Sequence, residues 1–219
     1  FAQVAATLGR IRTAGAGDLY SGQIARAYVE EVAAMGGYVP DKLLIAPQEL
    51  RTADPTLAQE LYGGRYFFAG VTVECGGENP FLLEASNESW ARRLHQFTWI
   101  RHLAASNDNL AARHPRTLIM DWITLHGRGQ GEIAWEVETS ARRLIAWLNN
   151  SVTIVSGAEH EAYRRFLRAI GYHVKFLRTH AGSAPEGMPR LVAHVALAYA
   201  SVRLSGGDKG SRPVWGKLD

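Results

Sequence analysis

The stretch AEHEAYRRFLRAIGYHVKFLRT, residues 158–179, decides the fold class of this 219-residue chain. Its apolar side chains recur at helical spacing, at Tyr163, Phe166, Ile170, Val174 and Leu177. This period is typical of one long amphipathic helix with a buried side. The opposite side is basic and carries Arg164, Arg168, Lys175 and Arg178. We interpret that side as a solvated surface, with attraction of a polyanion as the alternative.

Segments on either side of this stretch show the same period. They predict helices from about Ser89 to Ala105, Pro115 to His126, Val137 to Asn149 and Pro189 to Leu204. Glycine-containing breaks separate these helices, and short loops favour antiparallel neighbours. Residues 4–12 and 24–32 predict two short helices, and 42–47 reads as extended. Asp54 and Pro55 are typical of a helix start. The sequence predicts a mainly α fold with a short β element near residues 66–75.

Composition excludes several classes of site. The single cysteine, Cys75, rules out a disulfide framework and a cysteine-based zinc site. Gly127, Gly129 and Gly131 follow a helical pattern rather than a strand, which argues against a dinucleotide loop. His160 and Glu161 lack the second histidine of a metalloprotease helix, because position 164 is arginine. We therefore predict no metal and no cofactor in this chain, and nucleophilic and phosphoryl chemistry have no local motif to support them.

The charge and hydropathy patterns limit the partners. The formal net charge is only +3, from 24 basic and 21 acidic residues. This small excess favours an ordinary surface, with an anionic ligand as the alternative, and we predict no nucleic-acid partner. No apolar run approaches the roughly 18 residues of a membrane-spanning helix, and we predict a soluble protein without a membrane span. The cytoplasm and the periplasm both fit this prediction, and the localisation stays open.

Two helix faces are candidate ligand sites. On the predicted helix from Ser89 to Ala105, His95, Trp99 and His102 are spaced i, i+4 and i+7 and so fall on one side. This stripe suits a sugar ring and its hydroxyls, and the alternative is packing of Trp99 against a neighbouring helix.

The second candidate lies near the end of the helix from Val137 to Asn149. Arg142 and Arg143 stand beside Trp147 and Asn149, and arginine forks, an aromatic plane and an amide suit a uronate carboxylate and hydroxyls. The alternative is a helix end with solvated arginines. A sugar site predicts Trp99 or Trp147 exposed in a groove, whereas a protein-interaction module predicts a flat apolar patch.

Several motifs together resemble one family. WARRLHQFTWIRHL at residues 90–103 is followed by Trp122–Ile123, Trp135–Glu136 and ARRLIAWL at 141–148. YRRFLR at 163–168, GMPRL at 187–191 and AYA at 198–200 continue the series. In this order the motifs resemble the N-terminal helical region of bacterial heparinase II/III family polysaccharide lyases, over residues 40–204.

The resemblance implies an incomplete α/α toroid, followed in full-length relatives by a β-sandwich. It also implies β-elimination on uronic-acid polysaccharides, in which a base removes the proton beside a neutralised carboxylate. Relatives use an asparagine, a tyrosine and a histidine farther along the chain than this sequence reaches. We therefore expect a lyase fragment that is inactive alone and binds acidic oligosaccharide, and that self-associates through apolar helix faces left without partners.

Residues 2–37 resemble a different family. AATL at 5–8, GDLYSG at 17–22 and Gly36–Gly37 are similar to a segment of the gamma-glutamyltranspeptidase large subunit. The predicted domains are thus a short helical segment at 1–39, the heparinase II/III-like helical domain at 40–204 and a flexible tail at 205–219. A fusion, a fragment and a chimera all fit this arrangement. A helical protein-interaction module and a transpeptidase remnant remain alternatives.

Overall fold

The computed structural model describes residues 40, 42–43, 49, 51–84, 87–104, 110–127 and 133–204. Several predicted features lie outside these residues: the helices at 4–12 and 24–32, the domain boundary near residue 39, most of the extended segment at 42–47 and the tail at 205–219. The described part is mainly helical, as predicted. Its elements are α1 (Pro55–Tyr62), β1 (Arg65–Phe68), β2 (Val71–Glu74), α2 (Glu88–Gln96), α3 (Ile100–Ala104), α4 (Leu110–His126), α5 (Val137–Asn149), α6 (Ser151–Val155), α7 (His160–His180) and α8 (Met188–Arg203).

Helix α5 lies at the centre of this arrangement. It packs against α2, α7 and α8, and its bounds are those predicted from the sequence. Behind it, α7 buries Phe166, Ile170, Val174 and Leu177, the apolar side predicted from the sequence. Because α5 contacts three helices, its side chains are buried around most of its circumference, Arg143 included.

The predicted β element is an antiparallel hairpin. Arg65 pairs with Glu74 and Phe68 with Val71, and the turn between the strands has positive φ at Ala69 and Gly70. The predicted helix start is also confirmed, since Asp54 is the N-cap of α1 and its side chain accepts a hydrogen bond from the Thr56 amide at 2.9 Å.

The prediction of one helix from Ser89 to Ala105 is wrong. The chain breaks between α2 and α3 at Phe97, whose φ of 55° is left-handed. A left-handed residue with a side chain costs about 1–2 kcal/mol, but the Phe97 ring is fully buried and stacks on Phe81 and Trp99 at centroid distances of 5.3 Å. Aromatic packing therefore outweighs the strain.

Other boundaries differ by less. Pro115 lies inside α4 and not at its start, and α6 was not predicted at all. Arg116 holds the end of α6 by donating from Nε to the Ile154 carbonyl at 2.8 Å. Helix α8 begins at Met188, one residue before the prediction, and the chain then forms an isolated antiparallel bridge between Leu204 and Leu43.

Candidate functional site

The described residues form a cleft of about 1100 Å³ between the hairpin, α1, α2, α3 and the start of α5. Six arginines line it: Arg51, Arg65, Arg92, Arg93, Arg101 and Arg142. Only three acidic side chains do so, those of Glu60, Glu136 and Glu138. We call this feature the arginine cleft. Its lining favours an anionic ligand, although the ion pairs of the walls decide how much charge is free.

Four of the six arginines are committed to carboxylates. Arg92 bridges two helices through Glu136 at 2.8 Å and Glu88 at 2.9 Å. Arg142 pairs with Glu138 at 2.7 Å, one turn away on α5. The other two pairs are Arg51 with Glu49 at 2.7 Å and Arg65 with Glu60 at 3.0 Å. These pairs shape the walls but leave little net charge.

Arg93 and Arg101 are the two cleft arginines that form no ion pair with a carboxylate of the described residues. Among the described residues, Arg101 donates to the backbone carbonyls of Thr98 and Thr52 and has no carboxylate at ion-pair distance. Burial lowers the pKa of Arg101, and the neighbouring Arg51 lowers it further. Arg93 is exposed on α2, and within the same part of the chain no carboxylate pairs with it. The free positive charge of the cleft therefore lies on α2 and α3.

The hairpin supplies the opposite rim. Side chains alternate along its strands, so Tyr66 and Phe68 share one side. Tyr66 is buried and packs edge-on against Trp99 at 5.6 Å, whereas Phe68 is half-buried and also lines the cleft. Arg65, Phe67 and Thr72 turn the other way and line the cleft. Phe67 is 61% exposed, so an apolar ring stands on the polar side of the hairpin.

The inner part of the cleft contains two buried polar side chains. Gln96, at the end of α2, lines it, and its Oε1 is buried without a hydrogen-bond partner among the described residues. His102 accepts a hydrogen bond at Nδ1 from the Asp54 amide at 2.9 Å. Burial first, and then Arg101, lowers the pKa of His102. The ring is therefore neutral at pH 7 with its proton on Nε2, where it is a donor.

The predicted stripe of His95, Trp99 and His102 does not exist, because the break at Phe97 separates these residues. Trp99 and His102 line the cleft, but Trp99 is 4% exposed and donates from Nε1 to the Leu94 carbonyl at 3.0 Å. His95 is half-buried, and its Nδ1 accepts a hydrogen bond from Trp122 Nε1 at 3.0 Å. Burial lowers the pKa of His95 to about 3.

The second predicted group also separates. Arg142 lines the cleft, whereas Arg143 and Trp147 are fully buried. Asn149 lies elsewhere, where its Oδ1 accepts from Tyr199 and Arg203 and its Nδ2 donates to Glu49 at 3.3 Å. A sugar site built on either predicted group requires Trp99 or Trp147 exposed in a groove, and both rings are buried. This outcome counts against a sugar site at the two groups that the sequence offered and agrees with the alternative of helix packing for Trp99. A helix with three packing partners buries side chains that one-face periodicity assigns to its surface.

Sequence reasoning missed most of the cleft, namely Arg51, Phe67, Arg93 and Arg101. The sequence could have revealed Phe67, because strand alternation places it on the opposite side from Tyr66 and Phe68. For the arginines there was none, because they come from segments up to about fifty residues apart that meet only after folding.

Comparisons with protein-family models, with curated proteins and with solved structures give no match to the chain. The heparinase II/III resemblance therefore rests on the sequence motifs. Within the described ranges, no three or more His, Cys, Asp or Glu side chains are grouped to hold a metal ion. In those same ranges every helix is too short or too polar to cross a membrane.

Proposed function

We propose that this chain is the helical part of a heparinase II/III-like polysaccharide lyase and that its arginine cleft binds an acidic oligosaccharide. The observation that carries the proposal is the pair of cleft arginines, Arg93 and Arg101, without a carboxylate partner among the described residues. The ordered family motifs over residues 40–204 and the mainly helical fold support it.

The cleft is suited to such a ligand in size and chemistry. Small-molecule pockets span about 300–1000 Å³, and this one is about 1100 Å³, which favours an oligomer over a single sugar. Arginine binds carboxylate or sulfate through paired N–H donors. The glutamates of the walls, held by Arg92 and Arg142, offer acceptors to sugar hydroxyls.

The proposal assigns binding, and no catalytic base, to the described residues. His102 is neutral and donates through Nε2, so it is a hydrogen-bond donor to the ligand in this account. In an elimination, groups that neutralise the uronate carboxylate make the neighbouring proton easier to remove. Arg93 and Arg101 are suited to that neutralising part.

The test is a calorimetric titration of a uronate tetrasaccharide against the parent protein, Arg93→Gln and Arg101→Gln. Charge-assisted hydrogen bonds contribute about 1.5–3 kcal/mol, so each variant is expected to bind about tenfold more weakly or worse. Arg164→Gln is the matched control, because Arg164 is an exposed arginine of α7 outside the cleft. Equal weakening by all three variants would indicate general charge attraction and would contradict the proposal.

A second candidate is a helical protein-interaction module, which one observation favours. Helix α8 exposes Met188, Val195 and Val202 at intervals of seven residues, so they form one apolar stripe. If this stripe binds a protein or a second copy of the chain, the double variant Val195→Ser with Val202→Ser elutes later on size exclusion than the parent at the same concentration. Identical elution at all concentrations would count against self-association.

A further inference from the structure

The hairpin face that lines the arginine cleft has one residue that its surroundings do not explain. Four side chains share this face by strand alternation, those of Arg65, Phe67, Thr72 and Glu74. Arg65 is paired with Glu60 and with Glu74, its cross-strand neighbour. Phe67 pairs across the strands with Thr72, and its ring remains 61% exposed. The core therefore does not require a phenylalanine at this position.

Phe67 shares the cleft with the two arginines that have no carboxylate partner among the described residues. Phe67, Arg93 and Arg101 all line the same cleft, with the phenylalanine on the hairpin and the arginines on α2 and α3. A pyranose ring has an apolar C–H face and a polar edge, and a uronate adds a carboxylate at that edge. An apolar ring and separate cations in one cleft match these two features.

We infer that Phe67 is the platform for a sugar ring of the bound oligosaccharide, and that it makes the cleft selective for uronate sugars over other polyanions. This inference rests on the proposed function and adds the source of its specificity. Arginines alone attract any polyanion, because Coulomb attraction is insensitive to the carrier of the charge. A contact with the Phe67 ring, in contrast, requires a ligand with an apolar face.

The experiment uses the full chain and two probes of matched charge, a uronate tetrasaccharide and tetraglutamate with blocked ends. The variants are Phe67→Thr, which keeps a strand-favouring residue in the hairpin, and Phe67→Tyr, which keeps the ring. Leu82→Ala is the control, because Leu82 is 66% exposed and lies outside the cleft. Thermal unfolding of each variant establishes that the hairpin change leaves the protein folded.

We expect Phe67→Thr to weaken uronate binding about fivefold and to leave tetraglutamate binding unchanged. We expect Leu82→Ala to bind both probes as the parent does. Phe67→Tyr keeps the parent affinity. If the parent binds the uronate and Phe67→Thr binds it equally well, the platform is overturned while the proposed function stands. If the parent binds no uronate tetrasaccharide, the proposed function fails and the platform fails with it.

Discussion

Arg143 donates a hydrogen bond from Nε to His173 Nε2 at 2.8 Å, and both side chains are buried in the core. His173 is held in one tautomer, because its Nδ1 lies 2.7 Å from the Ala169 carbonyl and must carry the proton. The guanidinium lies 3.9 Å from the centroid of the Trp122 ring, a cation–π contact. An arginine that the sequence offers as a sugar ligand is thus part of the core.

The same guanidinium stabilises the walls of the arginine cleft from behind. Arg143 Nη1 donates to the His95 carbonyl at 2.9 Å and to the Ala134 carbonyl at 2.8 Å. His95 is on α2, which carries Arg92 and Arg93, and Ala134 precedes α5, which carries Arg142. One buried side chain therefore fixes the distance between two walls of the cleft.

The first prediction concerns stability. Arg143→Ala leaves the His95 and Ala134 carbonyls and His173 Nε2 without their donor and opens a cavity, so it is expected to destabilise the fold by about 3–5 kcal/mol. Arg142→Ala is the matched control. Its half-buried pair with Glu138 is worth below about 1 kcal/mol. Urea unfolding of both variants measures the difference, and similar losses for the two would show that Arg143 is not a core residue.

The second prediction concerns acid stability. Burial lowers the pKa of His95 to about 3 and holds that of His173 well below its ordinary value. The unfolded chain binds their protons at about pH 6.5, whereas the folded chain does not. The stabilisation is therefore complete above about pH 6.5 and is lost as the pH falls below it, by about 1.4 kcal/mol per pH unit for each histidine.

Urea unfolding at pH 7.5, 6.5 and 5.5 measures this slope. The variant His173→Gln keeps an acceptor for Arg143 but cannot titrate, so its loss between pH 6.5 and 5.5 is expected to be smaller than that of the parent. Stability that rises on acidification over this range would contradict the neutral state of the two histidines.

The third prediction concerns the break at Phe97. Removing its buried ring costs about 3–5 kcal/mol, so Phe97→Ala and Phe97→Gly both destabilise. The test is which of the two variants is more stable, because the left-handed backbone conformation at this position favours glycine. Although glycine is ordinarily the less stable of the two in a helix, we expect Phe97→Gly to be the more stable variant here by about 1 kcal/mol. Thermal unfolding decides, and the ordinary order would show that the left-handed conformation is not maintained.

The sequence predicts features that depend on neighbouring residues in the chain, and it misses features that depend on residues distant in sequence. Helix α5, the buried face of α7 and the hairpin follow from local period and strand-forming residues, and all three were predicted. The break at Phe97 was missed because tertiary aromatic packing, and not a glycine or proline, stabilises it. Burial of Arg143 was missed because three of its acceptors, on His95, Ala134 and His173, lie outside its own helix, and no local pattern reveals that they meet.

The fourth prediction concerns salt. A uronate bound by Arg93 and Arg101 is partly exposed, and charges in water are screened over about 10 Å at 0.1 M salt. We expect the dissociation constant for a uronate tetrasaccharide to rise with sodium chloride. The double variant Arg93→Gln with Arg101→Gln is expected to show a shallower dependence than the parent. Parallel salt dependences would place the binding charge elsewhere.

The arginine cleft and the basic side of α7 are the two surfaces that compete for an acidic oligosaccharide. A photoreactive uronate tetrasaccharide, crosslinked to the full chain and located by mass spectrometry of peptides, distinguishes them most directly. We expect crosslinks in Arg65–Glu74 and Glu88–Ala104, suppressed by unlabelled uronate and reduced in the variant Arg93→Gln with Arg101→Gln. Crosslinks concentrated at Arg164, Arg168 and Lys175 would contradict it.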